Sequence, residues 1–260
     1  VAVVTGASGK LGPLWIETLL QAGASVFALD HPAARHSEAG RALEDRFGSQ
    51  RFALHAVDVR DRAGLEEACG ACLARFGAVD ALVNSAGIDQ PPGCQARPSA
   101  LEDIPFEVCA EIMSVNALGL FQSCQVFGRE MVRQGRGSIV NIGSLYAGLS
   151  PDARYYDHIP QEPPFIKPPA YGASKAAVVN LSRYLATHWG PRGVRVNVLS
   201  PGGVEGGQDL AFRQKFCARV PLGRMAALND MKGPLVFLVS SASAYVTGQE
   251  LVVDGGYGTW

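Results

Sequence analysis

The sequence predicts an α/β fold, a single doubly wound parallel sheet of about seven strands with helices on both faces. Three observations carry this expectation. Short β-branched apolar runs alternate with amphipathic helical segments from the first residues to the last. The strand runs are apolar throughout and bounded by Gly or Asp, as strands buried on both faces should be. No linker, repeat or low-complexity tract interrupts the 260 residues, so residues 1–260 are expected to form one domain.

The elements follow in order. Val1–Thr5 reads as a strand, and Leu11–Ala22 as a helix with Pro13 in its first turn, where a missing N–H does no harm. Ser25–Leu29 is the second strand, Ser37–Phe47 a helix, Arg51–Val57 the third strand and Arg62–Phe76 an amphipathic helix. Ala81–Asn84 is the fourth strand. A long helical region, Phe106–Gln134, is expected to break near Asn116. Strand Ser138–Ile142, helix Tyr171–Trp189, strand Arg195–Leu199, a helix around Asp230–Ser240 and strand Glu250–Val253 complete the alternation. Between Leu145 and Pro169 stand six prolines and several aromatics. Proline cannot donate to a ladder and breaks helices, so residues 145–169 read as an ordered loop over a substrate site, with a plain surface insertion as the other reading.

Composition narrows the partners. Hydrophobic residues make up 47% and the formal net charge is -1, so a large core can form and no global basic field favours nucleic acid or an anionic membrane. No apolar run approaches the roughly 18 residues of a spanning helix. Val1–Thr5 lacks the basic start and cleavage site of a signal peptide, and the missing initiator methionine leads us to expect a few residues before Val1. The cysteines are Cys69, Cys72, Cys94, Cys109, Cys124 and Cys217; only Cys69 and Cys72 form a CxxC pair, on one face of a helix, and no second pair completes a metal site. Buried thiols, no metal and a reducing cytoplasm are therefore expected.

The first strand runs into Thr5-Gly6-Ala7-Ser8-Gly9-Lys10-Leu11-Gly12 and then a helix. Gly6, Gly9 and Gly12 allow a tight turn and close backbone approach to a pyrophosphate, and the helix N-terminus supplies partial positive charge. Placed between a first strand and a first helix, this is the fingerprint of a Rossmann-type dinucleotide site. Asp30 ends the second strand, where a carboxylate accepts from the ribose hydroxyls and repels a 2′-phosphate, so NAD(H) is preferred to NADP(H). Lys10 points the other way, since a basic side chain in the loop can reach that phosphate. Asp58 and Val59 follow the third strand, and Asn84-Ser85-Ala86-Gly87 closes the fourth; both turns lie where doubly wound sheets bind ligands, with Asp58 placed to meet the adenine amino group. Ordinary turn chemistry would explain the same residues.

Tyr171-Gly172-Ala173-Ser174-Lys175 opens a helix and puts Tyr171 and Lys175 on one face. An ammonium ~4 Å from a phenolate contributes up to ~4 kcal/mol at an effective dielectric near 20, which would bring the tyrosine from about 10 to about 7 and make it a usable acid–base group. An i, i+4 surface pair is the alternative. Ser144, after the fifth strand, can hold a substrate oxygen beside Tyr171. Asn116, at the expected helix break, can free a carbonyl for a water leading from Lys175.

Together these residues resemble the classical short-chain dehydrogenase/reductase family over essentially the whole chain. The resemblance rests on the Gly6 loop, Asp58, Asn84-Ser85-Ala86-Gly87, Asn116, Ser144, Tyr171/Lys175, Pro201-Gly202 and the tail from Tyr245 through Val253-Asp254-Gly255-Gly256. It implies hydride transfer between a nicotinamide and a secondary alcohol or ketone, with Tyr171 as acid–base, Lys175 lowering its pKa and binding the nicotinamide ribose, Ser144 orienting substrate and Asn116 supporting a proton relay. It also implies that Pro201, Gly202 and Val204 lie near the nicotinamide, and that the assembly is a homotetramer or homodimer. Two departures stand out. The glycine spacing is that of the family's extended branch, and 26 residues separate Ser144 from Tyr171, about twice the family's habit. Tyr155 and Tyr156 lie nearer Ser144, but Ile159 and Pro160 stand where a lysine partner would be needed.

Residues 145–169 and the loop Gly203–Phe216 are expected to wall the substrate site. Tyr146, Tyr155, Tyr156 and Gly203, with Arg154, His158 and Lys167, suit a sugar, cyclitol or sugar acid; simple packing of the insert is the competing reading for the aromatics. Two further functions fit the same residues less well: redox-neutral epimerisation or dehydration with tightly held NAD, and non-catalytic nucleotide sensing.

Overall fold

A computed structural model describes residues 1–34, 38–93 and 99–260. Seven parallel strands form one sheet: β1 (Ala2–Thr5), β2 (Val26–Asp30), β3 (Phe52–Ala56), β4 (Ala81–Asn84), β5 (Gly137–Ile142), β6 (Val194–Pro201) and β7 (Glu250–Val253). Their spatial order is β3-β2-β1-β4-β5-β6-β7. The register pairs Thr5 with both Leu29 and Asn84, and Asn84 with Asn141, so the carboxyl ends of the central strands finish level with one another.

Helices cover both faces. On one side, α1 (Gly12–Gln21), α2 (Glu38–Phe47) and α8 (Lys232–Val239) pack over a core that includes Val4, Trp15, Leu20, Val83 and Leu235. On the other, α3 (Arg62–Phe76), α5 (Leu120–Gln134) and α6 (Pro169–Trp189) cover Val3, Leu65, Leu82, Phe127, Ile139 and Val196. Asp61 caps α3 by accepting from the Gly64 N–H, and Gly77 ends it in the left-handed region, φ 80°. Cys69 and Cys72 are buried along α3, where burial lifts their thiols to about 11 and about 12; they are packing residues. All the cysteines except Cys94, which lies outside the described residues, are free thiols.

The expected break at Asn116 is a π-helical turn. Between α4 (Phe106–Met113) and α5 the chain widens over Ser114–Gly119, and Asn116 sits fully buried at its centre. Such a wide turn inside a helix often marks a functional site. Val59 packs against the turn at Gly119, where a Cβ would stand 2.6 Å from its Cγ2.

One expectation is corrected. The loop Gly203–Phe216 contains the first seven residues of a helix, α7 (Leu210–Arg219), capped by Asp209 accepting from the Phe212 N–H at 2.8 Å. Its Phe212 and Phe216, four residues apart, face the proline-rich insert. Leu145, Tyr155, Tyr156, Phe165, Phe216, Val220, Met225 and Tyr257 form a third, smaller core there. The insert is thus tied to α7 and to the end of the chain by aromatic packing, with Phe216 and Tyr257 stacked at 4.8 Å and Tyr156 and Phe165 in contact at 4.7 Å.

Candidate active site

The topological switch point of the sheet, where doubly wound folds bind ligands in a crevice, lies at the carboxyl edge between β1 and β4, neighbours whose chains depart to opposite sides of the sheet. The glycine loop forms one wall. Gly6 has φ 73°, and a Cβ there would lie 2.7 Å from the backbone N and Cα of Ala86. Thr5 Oγ1 accepts from the N–H groups of Ser85 and Ala86 at 3.1 Å, and the buried Trp15 indole donates to Ser85 Oγ at 3.0 Å. The loop after β1 and the turn after β4 are therefore one braced unit. Gly9 and Gly12 close the loop by N–H donation to Gly6 and Gly9 at 3.2 Å, and a Cβ on Gly12 would collide with the Gly6 and Ala7 carbonyls. Leu11 ends the loop and accepts from Trp15 N–H, so α1 begins facing the crevice.

Asp30 ends β2 at the rim. Its two carboxylate oxygens accept from the backbone N–H groups of Ser8 and His31, and each retains a lone pair for a ligand hydroxyl. The glycine cradle and this carboxylate fit the pyrophosphate and ribose of a dinucleotide. Lys10, the basic residue of the loop that could reach a 2′-phosphate, has a protein partner in this structure. Its ammonium crosses to the loop after β6 and donates to the Val204 carbonyl at 2.8 Å, away from Asp30. Asp58 is engaged by the Arg60 guanidinium at 2.7–3.0 Å and stands 3.5 Å from His31 Nε2; the Arg60 hydrogen bonds hold its carboxyl below the usual range. Asn84 is buried, and its amide Oδ1 has no hydrogen-bond partner among the described residues. Its Nδ2 donates to Asn141 Oδ1 at 2.8 Å, and Asn141 in turn donates to Ser182, a buried polar brace joining β4, β5 and α6. The same turn carries Gly87, where a Cβ would meet Asn116 Oδ1 at 3.2 Å and Lys175 Nζ at 3.8 Å.

The acid–base group assembles at the same edge. Tyr171 lies in the first turn of α6, and the Ser144 side chain, after β5, favours its ionised form. Lys175 is buried one turn further on, its ammonium 5.9 Å from the Tyr171 ring centre and bonded to the Ile142 carbonyl at 2.8 Å. Asn116 accepts from the Ile88 N–H at 2.8 Å, donates to the Ile88 carbonyl at 3.0 Å and donates to Ser174 at 3.2 Å, pinning the turn after β4 to α6. Burial, then the Asp89 carboxylate, pushes Tyr171 up to about 12, and burial draws Lys175 down to about 8. In this structure the Lys175 ammonium is bonded to a backbone carbonyl, and desolvation is the main cause of the upward shift of Tyr171.

Pro201 ends β6; Gly202 donates to Val253, and Gly203 leaves room for the Phe216 ring at 2.5 Å from a built Cβ. The substrate candidates divide. Tyr146 packs at the start of α6, its carbonyl 3.1 Å from a Cβ built on Gly172. Tyr156 is buried, its ring packed against Phe165 and Phe212. Tyr155 is corrected outright: its hydroxyl meets that of Tyr257 at 2.9 Å inside the small core. Arg154 and His158 are held by Asp152 and Asp209. Sequence reasoning missed Thr5 and Trp15, which brace the crevice, and Asp89, which reaches Lys167 beside Tyr171. Their only signal was position next to the glycine loop and the Asn84 turn.

A family model described as enoyl-(acyl carrier protein) reductase, of the short-chain dehydrogenase/reductase type, matches residues 15–258. The chain belongs to the short-chain dehydrogenase/reductase family. It is 35% identical to a D-threitol dehydrogenase of Mycolicibacterium smegmatis, over 99% of this chain and 92% of that one. Among solved structures it resembles a gluconate 5-dehydrogenase from Burkholderia cenocepacia in complex with NADP and tartrate, at TM-score 0.83 and 31% identity, covering 100% of this chain and 95% of that one. A short chain dehydrogenase from Leptospira borgpetersenii with bound NAD+ matches at TM-score 0.81 and 32% identity, covering 98% and 91%. As a short-chain dehydrogenase/reductase, the chain is an oxidoreductase acting on alcohol groups. Among the described residues no helix is long and apolar enough to cross a membrane.

Proposed function

We propose that this protein is an NAD(H)-dependent dehydrogenase of polyols, sugars or sugar acids, with Tyr171 as the acid–base group. The observation that carries the reading is the convergence of Ser144, Tyr171 and Lys175 beside the glycine-lined crevice. The dehydrogenases of threitol and gluconate to which the chain is similar support the substrate class. Asp30 supports NAD over NADP, because a 2′-phosphate would meet its carboxylate at the rim.

Nicotinamide, when bound, supplies the hydride acceptor or donor. Ser144 donates to the substrate oxygen. Tyr171 takes the alcohol proton in oxidation and returns it in reduction. Lys175, drawn to about 8, is still charged at neutral pH and favours the phenolate. Alcohol oxidation therefore rises with pH as Tyr171 ionises. Tyr146 forms the near wall, and the insert with α7 forms the outer one.

Threitol, gluconate and a simple secondary alcohol, each offered with NAD and with NADP and followed by nicotinamide absorbance, test the reading. Turnover of a polyhydroxylated substrate with NAD is expected; preference for NADP would overturn the cofactor assignment, and turnover of the simple alcohol alone would overturn the substrate class. The exposed side chains of Phe106, Leu118, Tyr184, Tyr245 and Val252 support a homotetramer, which light scattering would separate from a homodimer. Free cysteines in the described chain support a reducing cytoplasm.

A further inference from the structure

The proline-rich insert ends in Lys167-Pro168-Pro169, and α6 starts at Pro169. Lys167 stands four residues before Tyr171, as Lys175 stands four residues after it. A residue ahead of proline is confined to extended conformations, and two successive prolines fix the backbone that follows, so Lys167 is delivered to the site with little freedom. Its side chain is only 9% exposed. Its ammonium lies 4.7 Å from the Tyr171 ring centre, closer than the 5.9 Å of Lys175, and 5.8 Å from the Tyr146 ring. Asp89, from the turn after β4, accepts from it at 2.6 Å.

A largely covered ammonium is not needed to pack this corner; an apolar side chain of similar length would fill it at comparable stability. Its place against the ring of the acid–base tyrosine calls for another reason. We propose that Lys167 is a second positioning cation for Tyr171, with Asp89 as its counter-ion, so that the insert sets the charge felt by the phenol oxygen. This rests on the reading of Tyr171 as the acid–base group. Among the described residues, the other polar and titratable groups placed against this pair include Lys175 on α6, 5.9 Å from the Tyr171 ring centre, Tyr146, whose ring lies 5.8 Å from the Lys167 ammonium, and Ser144 after β5. The two members of the pair act with opposite sign. Lys167 favours the phenolate, whereas Asp89 opposes it and also restrains Lys167.

The test uses the full chain with Lys167→Met, Lys167→Arg and Asp89→Asn. The acid limb of the kcat/KM profile for alcohol oxidation is expected to rise by about one pH unit in Lys167→Met, roughly a tenfold loss below the limb, and to fall by a similar amount in Asp89→Asn. Lys167→Arg keeps the charge and should leave the limb in place. NADH affinity, read by fluorescence titration, should stay near wild type in all three. A second readout needs no substrate: the ultraviolet phenolate titration of each variant, less that of the same variant carrying Tyr171→Phe, reports the Tyr171 ionisation directly and should shift in the same two directions. Limbs and phenolate titrations that stay put, even with KM changed, would overturn the proposal and make the pair a substrate contact or a packing feature. If Lys167→Met fails to fold, Asp89→Asn alone decides by the presence or absence of its downward shift. A chain that turns over no alcohol would sink the dehydrogenase reading, while the phenolate titration would still decide the role of Lys167.

Discussion

Replacing Lys175 by methionine should stabilise the protein at neutral pH while abolishing turnover. The side chain is buried, and its ammonium has the Ile142 carbonyl as its hydrogen-bond partner at 2.8 Å. Burial lowers it from 10.5 to about 8, a displacement equivalent to about 3 kcal/mol of cost to the folded state wherever the lysine is charged in both states. Methionine removes that cost but leaves the Ile142 carbonyl without this donor, which returns ~1–2 kcal/mol. The net gain is about 1–2 kcal/mol, or a Tm rise on the order of 4 °C for a domain of this size. The sign of the pH dependence is fixed by linkage. Between about pH 8 and 10.5 the unfolded chain binds the proton and the folded chain does not, so wild-type stability rises with pH across that window. The advantage of Lys175→Met should be full below about pH 8, cross zero between about pH 9 and 10, and become a deficit of ~1–2 kcal/mol by about pH 10.5. Thermal and urea unfolding of both proteins at a series of pH values measures it; a variant less stable at pH 7, or an advantage that ignores pH, would refute the reasoning.

Gly6→Ala should lower stability by ~2–4 kcal/mol and weaken NADH binding together, because its Cβ would enter the Ala86 backbone at 2.7 Å on a residue with φ 73°; paired unfolding and fluorescence titrations check both. Phe216→Ala should cost ~3–5 kcal/mol and raise KM for the alcohol more than for NAD, since the ring anchors the insert through Tyr155 and Tyr257. Asp30→Ala should narrow the preference for NAD over NADP, measured as the ratio of kcat/KM values, by removing the carboxylate that faces a 2′-phosphate.

The strands and most helices were legible because their signal is local: unbroken apolar runs for buried parallel strands, and a 3.6-residue period elsewhere. Arg62–Phe76, Ala81–Asn84 and Glu250–Val253 were read to the residue. Helix α7 was hidden because Phe212 and Phe216 are its main apolar face, and the cap at Asp209 was its only start signal. The glycine loop and the Tyr171/Lys175 spacing were legible for the same local reason. What escaped depended on where side chains turn after the chain has folded. Asn84 was read as a strand-end ligand, and the level register of β4 and β5 gives its Nδ2 Asn141 as a partner, which no local signal foretold. Asp58 was read as facing an adenine amino group, and the closing of Arg60, two residues on, around its carboxylate was not foreseen. Tyr155 looked like a wall of the substrate site, but α7 and Tyr257 claim it. The balance between desolvation and ion pairing at Tyr171 was also out of reach, since it depends on Lys175 turning to Ile142 and on Asp89 arriving from another strand.

The most direct check is a comparison of Tyr171→Phe with wild type on one polyhydroxylated alcohol and NAD, alongside NADH binding by fluorescence. Loss of only the phenol oxygen should drop kcat by at least about a hundredfold with NADH affinity unchanged. Turnover that survives near the wild-type level would contradict the assignment of proton transfer to this tyrosine.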